Sequence, residues 1–280
     1  MVKYRATFCF SRNYKTIELK CCGIIVLMNL SVLFGRLLCP PIKQTIMRKV
    51  LFVFALLVLM PAISQAQTVR VTQPVDWEKV QKVAEKDPQR IKGLVARLSA
   101  NEIDTTMTLN ARILAYYGQS YLTPMTELNE GIKLDKLLKD GKYEECLSGA
   151  KDLLKKNPVS LKALSNALYA MMYMLQDSTN QYGVSRDEAR TYYIRMHRVL
   201  NTIGATGDGT QERPFYVTAV SDEYLFMRHN LEIGKTKMQY ITEHYDVFEL
   251  EETSEYYTRP KLFFDITRVL EIEKEMLNKD

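Results

Sequence analysis

Residues 143–175 read YEECLSGAKDLLKKNPVSLKALSNALYAMMYML. Tyr143, Cys146, Leu147, Ala150, Leu153 and Leu154 recur at helical spacing and form one apolar stripe, which Asn157-Pro158 ends. Leu161, Leu164, Leu168, Met171 and Leu175 form a second, broadened by Ala163, Ala167, Ala170 and Met174. A helix apolar over most of its surface is buried on several sides. Two such helices, with small residues where they cross and Pro158 at the joint, look like a degenerate hairpin of the tetratricopeptide type. The match covers about one and a half units and lacks the Trp-Leu-Gly-Tyr signature of that repeat.

Upstream, Asp76 is placed to cap a helix carrying Trp77, Val80 and Ala84, and Asp87-Pro88 opens another with Ile91, Leu94, Val95 and Leu98 on one face. A third begins near Thr108, and a fourth ends at Lys139-Asp140-Gly141. Ser185 and Glu188 form a capping box before a helix bearing Ala189, Tyr193, Met196, Leu200 and Ile203. Downstream the period changes. Gly204, Gly207, Gly209 and Pro214 mark a loop, and residues 215–219 alternate as a strand. Ser221 is placed to cap a short helix with Asp222 and Glu223 in its first turn. Residues 236–241, 244–251 and 261–267 read as strands, and Val269, Ile272 and Met276 mark a final helix. The expected fold is α+β, mainly α: a helical-hairpin body over residues 67–203, a Gly-rich loop at 204–214, and a small antiparallel sheet with a final helix over 215–280, packed on the body as one domain.

Residues 47–66, MRKVLFVFALLVLMPAISQA, have the form of a secretory signal peptide: a short basic start, 11 residues without a polar side chain, and a small-x-small exit at Ser64 and Ala66. A spanning helix needs roughly 20 apolar residues, so cleavage after Ala66 is expected rather than anchoring. Residues 1–46 are then an upstream extension, and translation is expected to start at Met47. The protein is accordingly expected in the periplasm or outside the cell, with no stable membrane anchor.

The chain's net charge of +5 resides in these first 66 residues. They hold nine Lys and Arg against one Glu, so residues 67–280 carry net −3. A mildly acidic surface gives no general attraction to nucleic acid. Four of the five cysteines lie upstream as well, and Cys146, on an apolar stripe, is expected to be a packed core thiol.

These segments, in this order, resemble a family of secreted Gram-negative bacterial proteins catalogued as a domain of unknown function, number 4919. The stretches that carry the resemblance are residues 109–117 with Gly118, Asn157-Pro158, Gly207-Asp208-Gly209-Thr210 with Pro214-Phe215, Val220-Ser221-Asp222-Glu223-Tyr224, Tyr245-Asp246-Val247-Phe248, and Leu262-Phe263-Phe264-Asp265-Ile266. The resemblance spans nearly all of residues 67–280. It implies the fold outline and no activity.

No catalytic signature is present. The three histidines, His197, His229 and His244, have no metal-ligand spacing. Asp208, Thr210 and Glu212 alternate like calcium ligands, yet Arg213 occupies the position that needs Gly. Neither a nucleophile elbow nor a dinucleotide fingerprint occurs. No metal and no cofactor is expected. Carboxylates cluster in the last third, among them Asp222, Glu223 and Asp246, and two of them at the right separation would serve an acid/base hydrolase acting on envelope glycan or peptide. Helix starts and outer strand faces carry acids in any case, so these side chains are expected on solvated positions. Two features suit binding. Tyrosine doublets (Tyr116-Tyr117, Tyr192-Tyr193, Tyr256-Tyr257) are expected to bury one ring and expose the other. Arg186, Arg190 and His197 share one helix face and would suit an acidic partner. The expected role is a non-enzymatic extracytoplasmic interaction or scaffold protein with a protein or glycan partner in the cell envelope.

Overall fold

The computed structural model describes residues 72–123, 128–176 and 181–278. The expected signal peptide at 47–66, its expected cleavage site and the expected upstream extension at 1–46 lie outside the described residues. Among these, nine helices and four strands are present.

Helix α1 (Trp77–Lys86) begins where the Asp76 carboxylate accepts from the Lys79 N–H, and buries Val80 and Ala84. Helix α2 (Pro88–Ser99) repeats the device, with Asp87 accepting from the Arg90 N–H and Pro88 in its first turn. Helix α3 (Leu109–Leu122), capped by Thr108, is buried continuously from Ile113 to Ser120. Helix α2 packs on α3, and α1 packs on both. Helix α4 (Leu128–Lys139) follows, then α5 (Tyr143–Lys156) and α6 (Leu161–Met174), whose Ser160 cap accepts from the Ala163 N–H. Both apolar stripes lie in the core: Cys146, Ala150, Leu153, Leu161, Leu164 and Met171 are each at most 1 % exposed. Helix α7 (Arg186–Gly204) packs along α6, and Ser185 accepts from the Glu188 N–H. Only half of the capping box forms, because the Glu188 carboxylate turns to Lys151 at 2.9 Å.

The loop after α7 depends on two glycines. A Cβ on Gly207 would stand 1.9 Å from the Pro214 carbonyl oxygen, and Gly209 has φ +79° with Leu262, Tyr257 and Phe215 crowded around it. Asp208 holds the loop by accepting from the Thr210 N–H and hydroxyl and by pairing with Arg213 and Arg259. Two of the three residues that alternate like calcium ligands, Asp208 and Thr210, are thus spent on a turn.

Strands β1 (Phe215–Tyr216), β2 (Thr236–Thr242), β3 (Tyr245–Leu250) and β4 (Lys261–Asp265) form one sheet in the order β1-β4-β3-β2. The β2–β3 and β3–β4 pairs are antiparallel as expected, whereas β1 joins parallel to β4, with Phe215 opposite Phe264. The sheet is therefore mixed. The first strand stops after two residues because the chain turns at once into helix α8 (Val220–Asn230). Ser221 does not cap that helix. Ala219 precedes it and gives no side-chain cap, and Ser221 lies inside the first turn. An aromatic core joins helix to sheet: Phe226 stands 4.6 Å from Phe215 and perpendicular to Phe264, and Phe248 is edge-on to Phe264. Helix α9 (Thr267–Leu277) returns to the helical body. Its Arg268, 2 % exposed, donates to the Ser120 carbonyl, pairs with Glu271 and Glu275, and stacks 4.0 Å over the Tyr121 ring. At the other end of the chain, the Trp77 indole N–H reaches Asp265. No helix among the described residues is long and apolar enough to cross a membrane.

Candidate functional site

The first turn of α8 carries Asp222 and Glu223, and neither is solvated. Asp222 is 2 % exposed, Glu223 0 % and Asp246, on β3, 3 %. The expectation that these acids line the surface is thereby corrected. The helix begins in a crevice beneath α3, and β3 is a central strand, so the residues that alternate inward include Asp246. The three are brought together, as an acid/base reading requires. The residues alone could not show this, because Asp246 enters from a separate strand.

Tyr116, on α3, donates its hydroxyl to Asp222 Oδ2 at 2.5 Å, and the Thr218 hydroxyl lies 3.2 Å from both partners. Gln239 donates to Asp246 Oδ2 at 2.6 Å and accepts from the Tyr224 hydroxyl. Asp222 Oδ1, Asp246 Oδ1 and both Glu223 oxygens have no hydrogen-bond donor, and the hydrogen bonds and ion pairs of the trio include no Lys or Arg. Burial pushes Asp222 up to about 6, against the pull of the Tyr116 and Thr218 hydrogen bonds. Burial, then the neighbouring Asp246 and Asp222, raises Glu223 well above the ordinary glutamate range, which favours its protonated form beside Asp246. Asp265, also buried, belongs to a separate set: it accepts from Trp77 and the Thr267 N–H and faces His244 at 3.7 Å. Among the described residues no group of His, Cys, Asp and Glu is arranged to hold a metal ion.

Tyr116 and Thr218 also form part of the wall of a cleft of about 200 Å³. Its walls are aliphatic: Ile132 from α4, Val159, Val220 from α8, and Val269, Ile272 and Met276 from α9. Asp135, Lys162 and Glu273 supply its charges, and Lys162 is tied to Asp135 at 2.5 Å. Ile132 and Val220 are 62 % and 42 % exposed. Of these cleft residues, Tyr116 alone was singled out in the sequence for function, as part of a tyrosine doublet. The available signal was Thr218 four residues before Asp222, which brings a hydroxyl back to the carboxylate across the helix start.

The expected α7 face is realised in part. Arg186 and Arg190 are exposed. His197 is half-buried, its ring 4.2 Å from Tyr193 and 6.3 Å from His229. Burial, with His197 and Arg228 nearby, lowers His229 to about 4, so it is neutral where it meets the Tyr169 hydroxyl at 3.0 Å. Arg195 and Arg198 turn inward and donate to backbone carbonyls, Arg195 to Pro158 and Arg198 to the carbonyls that end α2, including Leu98 and Ala100. They hold the fold and add nothing to the face of Arg186, Arg190 and His197. The tyrosine doublets divide as expected at Tyr192-Tyr193 and Tyr256-Tyr257, with the second ring exposed in one and the first in the other. Tyr116 and Tyr117 are both buried, because α3 is enclosed on all sides and each hydroxyl has an internal acceptor.

No curated protein and no solved structure matches the chain. A family model does, over residues 82–275, a span containing α3, the carboxylate trio, all of the cleft but Met276, and nearly all of α9. The chain belongs to the family described as domain of unknown function 4919 (DUF4919).

Proposed function

We propose that this is a non-enzymatic extracytoplasmic interaction protein, exported by the signal peptide at residues 47–66 to the periplasm or beyond, and that the cleft between α3, α4, α8 and α9 receives its partner. The observation that carries this reading is the rim. Ile132 and Val220, two large apolar side chains kept in water, stand beside a preformed hole. An exposed apolar rim around a pocket that takes one anchoring side chain is how protein interfaces concentrate their binding energy. Aliphatic walls and a volume of about 200 Å³ suit a peptide side chain better than a sugar ring. The pairing of α5 and α6 across residues 157–160 supports kinship with tetratricopeptide-type hairpins, which present binding faces in the same manner. Arg186 and Arg190 on α7 form the second candidate face, for an acidic partner.

Cross-linking of the purified protein to envelope extract tests both faces. Ile132→Ser with Val220→Ser is expected to abolish the cross-linked species, while Arg186→Glu with Arg190→Glu leaves them. The reverse pattern transfers the function to α7, and survival of the species in both variants overturns both faces.

A carboxylate-dependent hydrolase acting on envelope glycan or peptide is the second reading. It is favoured by the meeting of Asp222, Glu223 and Asp246 with two raised pKa values. Against it stands their burial, since none of the three lines the cleft. Hydrolysis of such a substrate that disappears in Glu223→Gln and Asp246→Asn would establish it.

A further inference from the structure

We propose that the occupant of the cleft is a lysine side chain of a partner polypeptide, its ammonium seated on the Tyr116 and Thr218 hydroxyl oxygens in front of Asp222. This rests on the reading of the cleft as the binding site and adds the chemistry of what enters it.

The polarity of the floor follows from where its protons go. Tyr116 has one hydroxyl proton and gives it to Asp222 Oδ2. The Thr218 proton goes to the same carboxylate or to the Tyr116 oxygen. Both hydroxyls are therefore spent as donors and keep only acceptor lone pairs. A ligand head that meets them has to donate. Behind them Asp222 is 2 % exposed, with Oδ1 unpartnered and no Lys or Arg among its hydrogen-bond partners. An ammonium group would supply the missing positive charge, and a carboxylate or phosphate would be repelled.

The walls carry the same sign. Of the three charged residues lining the cleft, Asp135 and Glu273 are acidic, and Lys162 is already engaged by Asp135. With Asp222 behind, the cleft is negative overall, which complements a cation. The aliphatic walls then select the tether. A lysine brings four methylenes to the apolar residues and ends in three donors, whereas a guanidinium is broader and better suited to paired carboxylates. The peptide source is favoured by the start of α8. Without a side-chain cap its first-turn N–H groups, at Val220 and Ser221 on the cleft wall, can donate to a carbonyl beside the lysine.

The charge that matters is that of Asp222, so affinity depends on pH. The ionisable groups facing it are Tyr116 and Tyr117 on α3, Glu223 on its own helix and, through Glu223, Asp246 on β3. Burial raises both tyrosines further above 10 and lifts Glu223 well above the ordinary glutamate range, while Asp222 rises to about 6, where its ionisation follows pH near neutrality.

The test uses methyl NMR of the purified protein, following Val220, Val269 and Ile272. The probes are Nα-acetyl-lysine methylamide, its norleucine counterpart without the ammonium, and pentylamine. The lysine compound is expected to shift these methyls and to bind roughly tenfold or more tighter than the norleucine compound at pH 8. That advantage should shrink as pH falls through about 6 and vanish in Asp222→Asn, which keeps the side-chain shape. Equal or tighter binding of the norleucine compound overturns the ammonium assignment while leaving the cleft as the site. An advantage that survives in Asp222→Asn also overturns it. Pentylamine binding as tightly as the lysine compound overturns the polypeptide source. Methyls that none of the three probes moves overturn the cleft itself.

Discussion

Asp222→Asn is the substitution whose effect the structure fixes most closely, through its dependence on pH. In the folded protein burial raises the carboxyl from 3.8 to about 6. In the unfolded chain it returns to the ordinary value. A group whose folded pKa lies above its unfolded one binds more protons when folded, so its protonated form favours folding. The stabilising difference is complete below about 4 and is lost as pH rises through about 6. Two pKa units at about 1.36 kcal/mol each give about 3 kcal/mol lost between pH 4 and pH 8. Asparagine has no charge to lose and still offers an oxygen to the Tyr116 hydroxyl. Urea unfolding of both proteins across this range should therefore show the variant gaining about 3 kcal/mol on the wild type from pH 4 to pH 8. Glu223 is raised well above the ordinary glutamate range and is unchanged in the variant, so the difference between the two curves reports Asp222. Parallel curves for the two proteins, or a wild type that gains on the variant as pH rises, would refute the account of an uncompensated buried carboxylate.

Gly207→Ala puts a Cβ 1.9 Å from the Pro214 carbonyl oxygen, and the three nearest atoms are all backbone of Arg213 and Pro214, so no side chain can yield. Circular dichroism should show a loss of several kcal/mol or no folded protein, against less than 1 kcal/mol for Gly93→Ala, where nothing lies within 4 Å. Arg268→Ala removes the donor to the Ser120 carbonyl and opens the space over Tyr121, while Glu271 and Glu275 remain partly solvated; chemical denaturation should register roughly 2–4 kcal/mol, and a loss under 1 kcal/mol would contradict the structural role given to it. Burial lifts the Cys146 thiol to about 11, so an aromatic disulfide reagent should label it only on unfolding, and rapid labelling of folded protein would show that this part of the core opens.

The helical half was legible in the residues because each helix carries its own local signals. Asp76, Asp87, Thr108, Ser160 and Ser185 all cap, and the apolar stripes of α5 and α6 face the core. The sheet was legible as strands and less so as pairings. The parallel contact of β1 with β4 joins residues about fifty positions apart and leaves no trace in alternation. The candidate site was least legible. Asp222 and Glu223 obey the ordinary preference for acids in a first turn, and that preference hides their burial. A carboxylate enclosed with no Lys or Arg partner runs against the rule by which sequences are read, since charge normally predicts exposure. Tyr116 was hidden for the opposite reason: a ring in an apolar run reads as core, and its hydroxyl is the part that matters.

The two bonds that tie the ends of the described chain together also set an order of assembly. Trp77 reaches Asp265 across 188 positions, and Arg268 reaches Ser120 across 148. Local helices can form as the chain appears, but α1 and α3 meet these partners only when the last strand and helix arrive. Loop closure over such spans is slow, and it rewards the chain late. A polypeptide that travels with its N-terminus leading would remain open, and threadable, until nearly all of it had crossed; losing its last thirteen residues would remove Arg268 and leave Trp77 with Asp265 as the one long-range tie of the two.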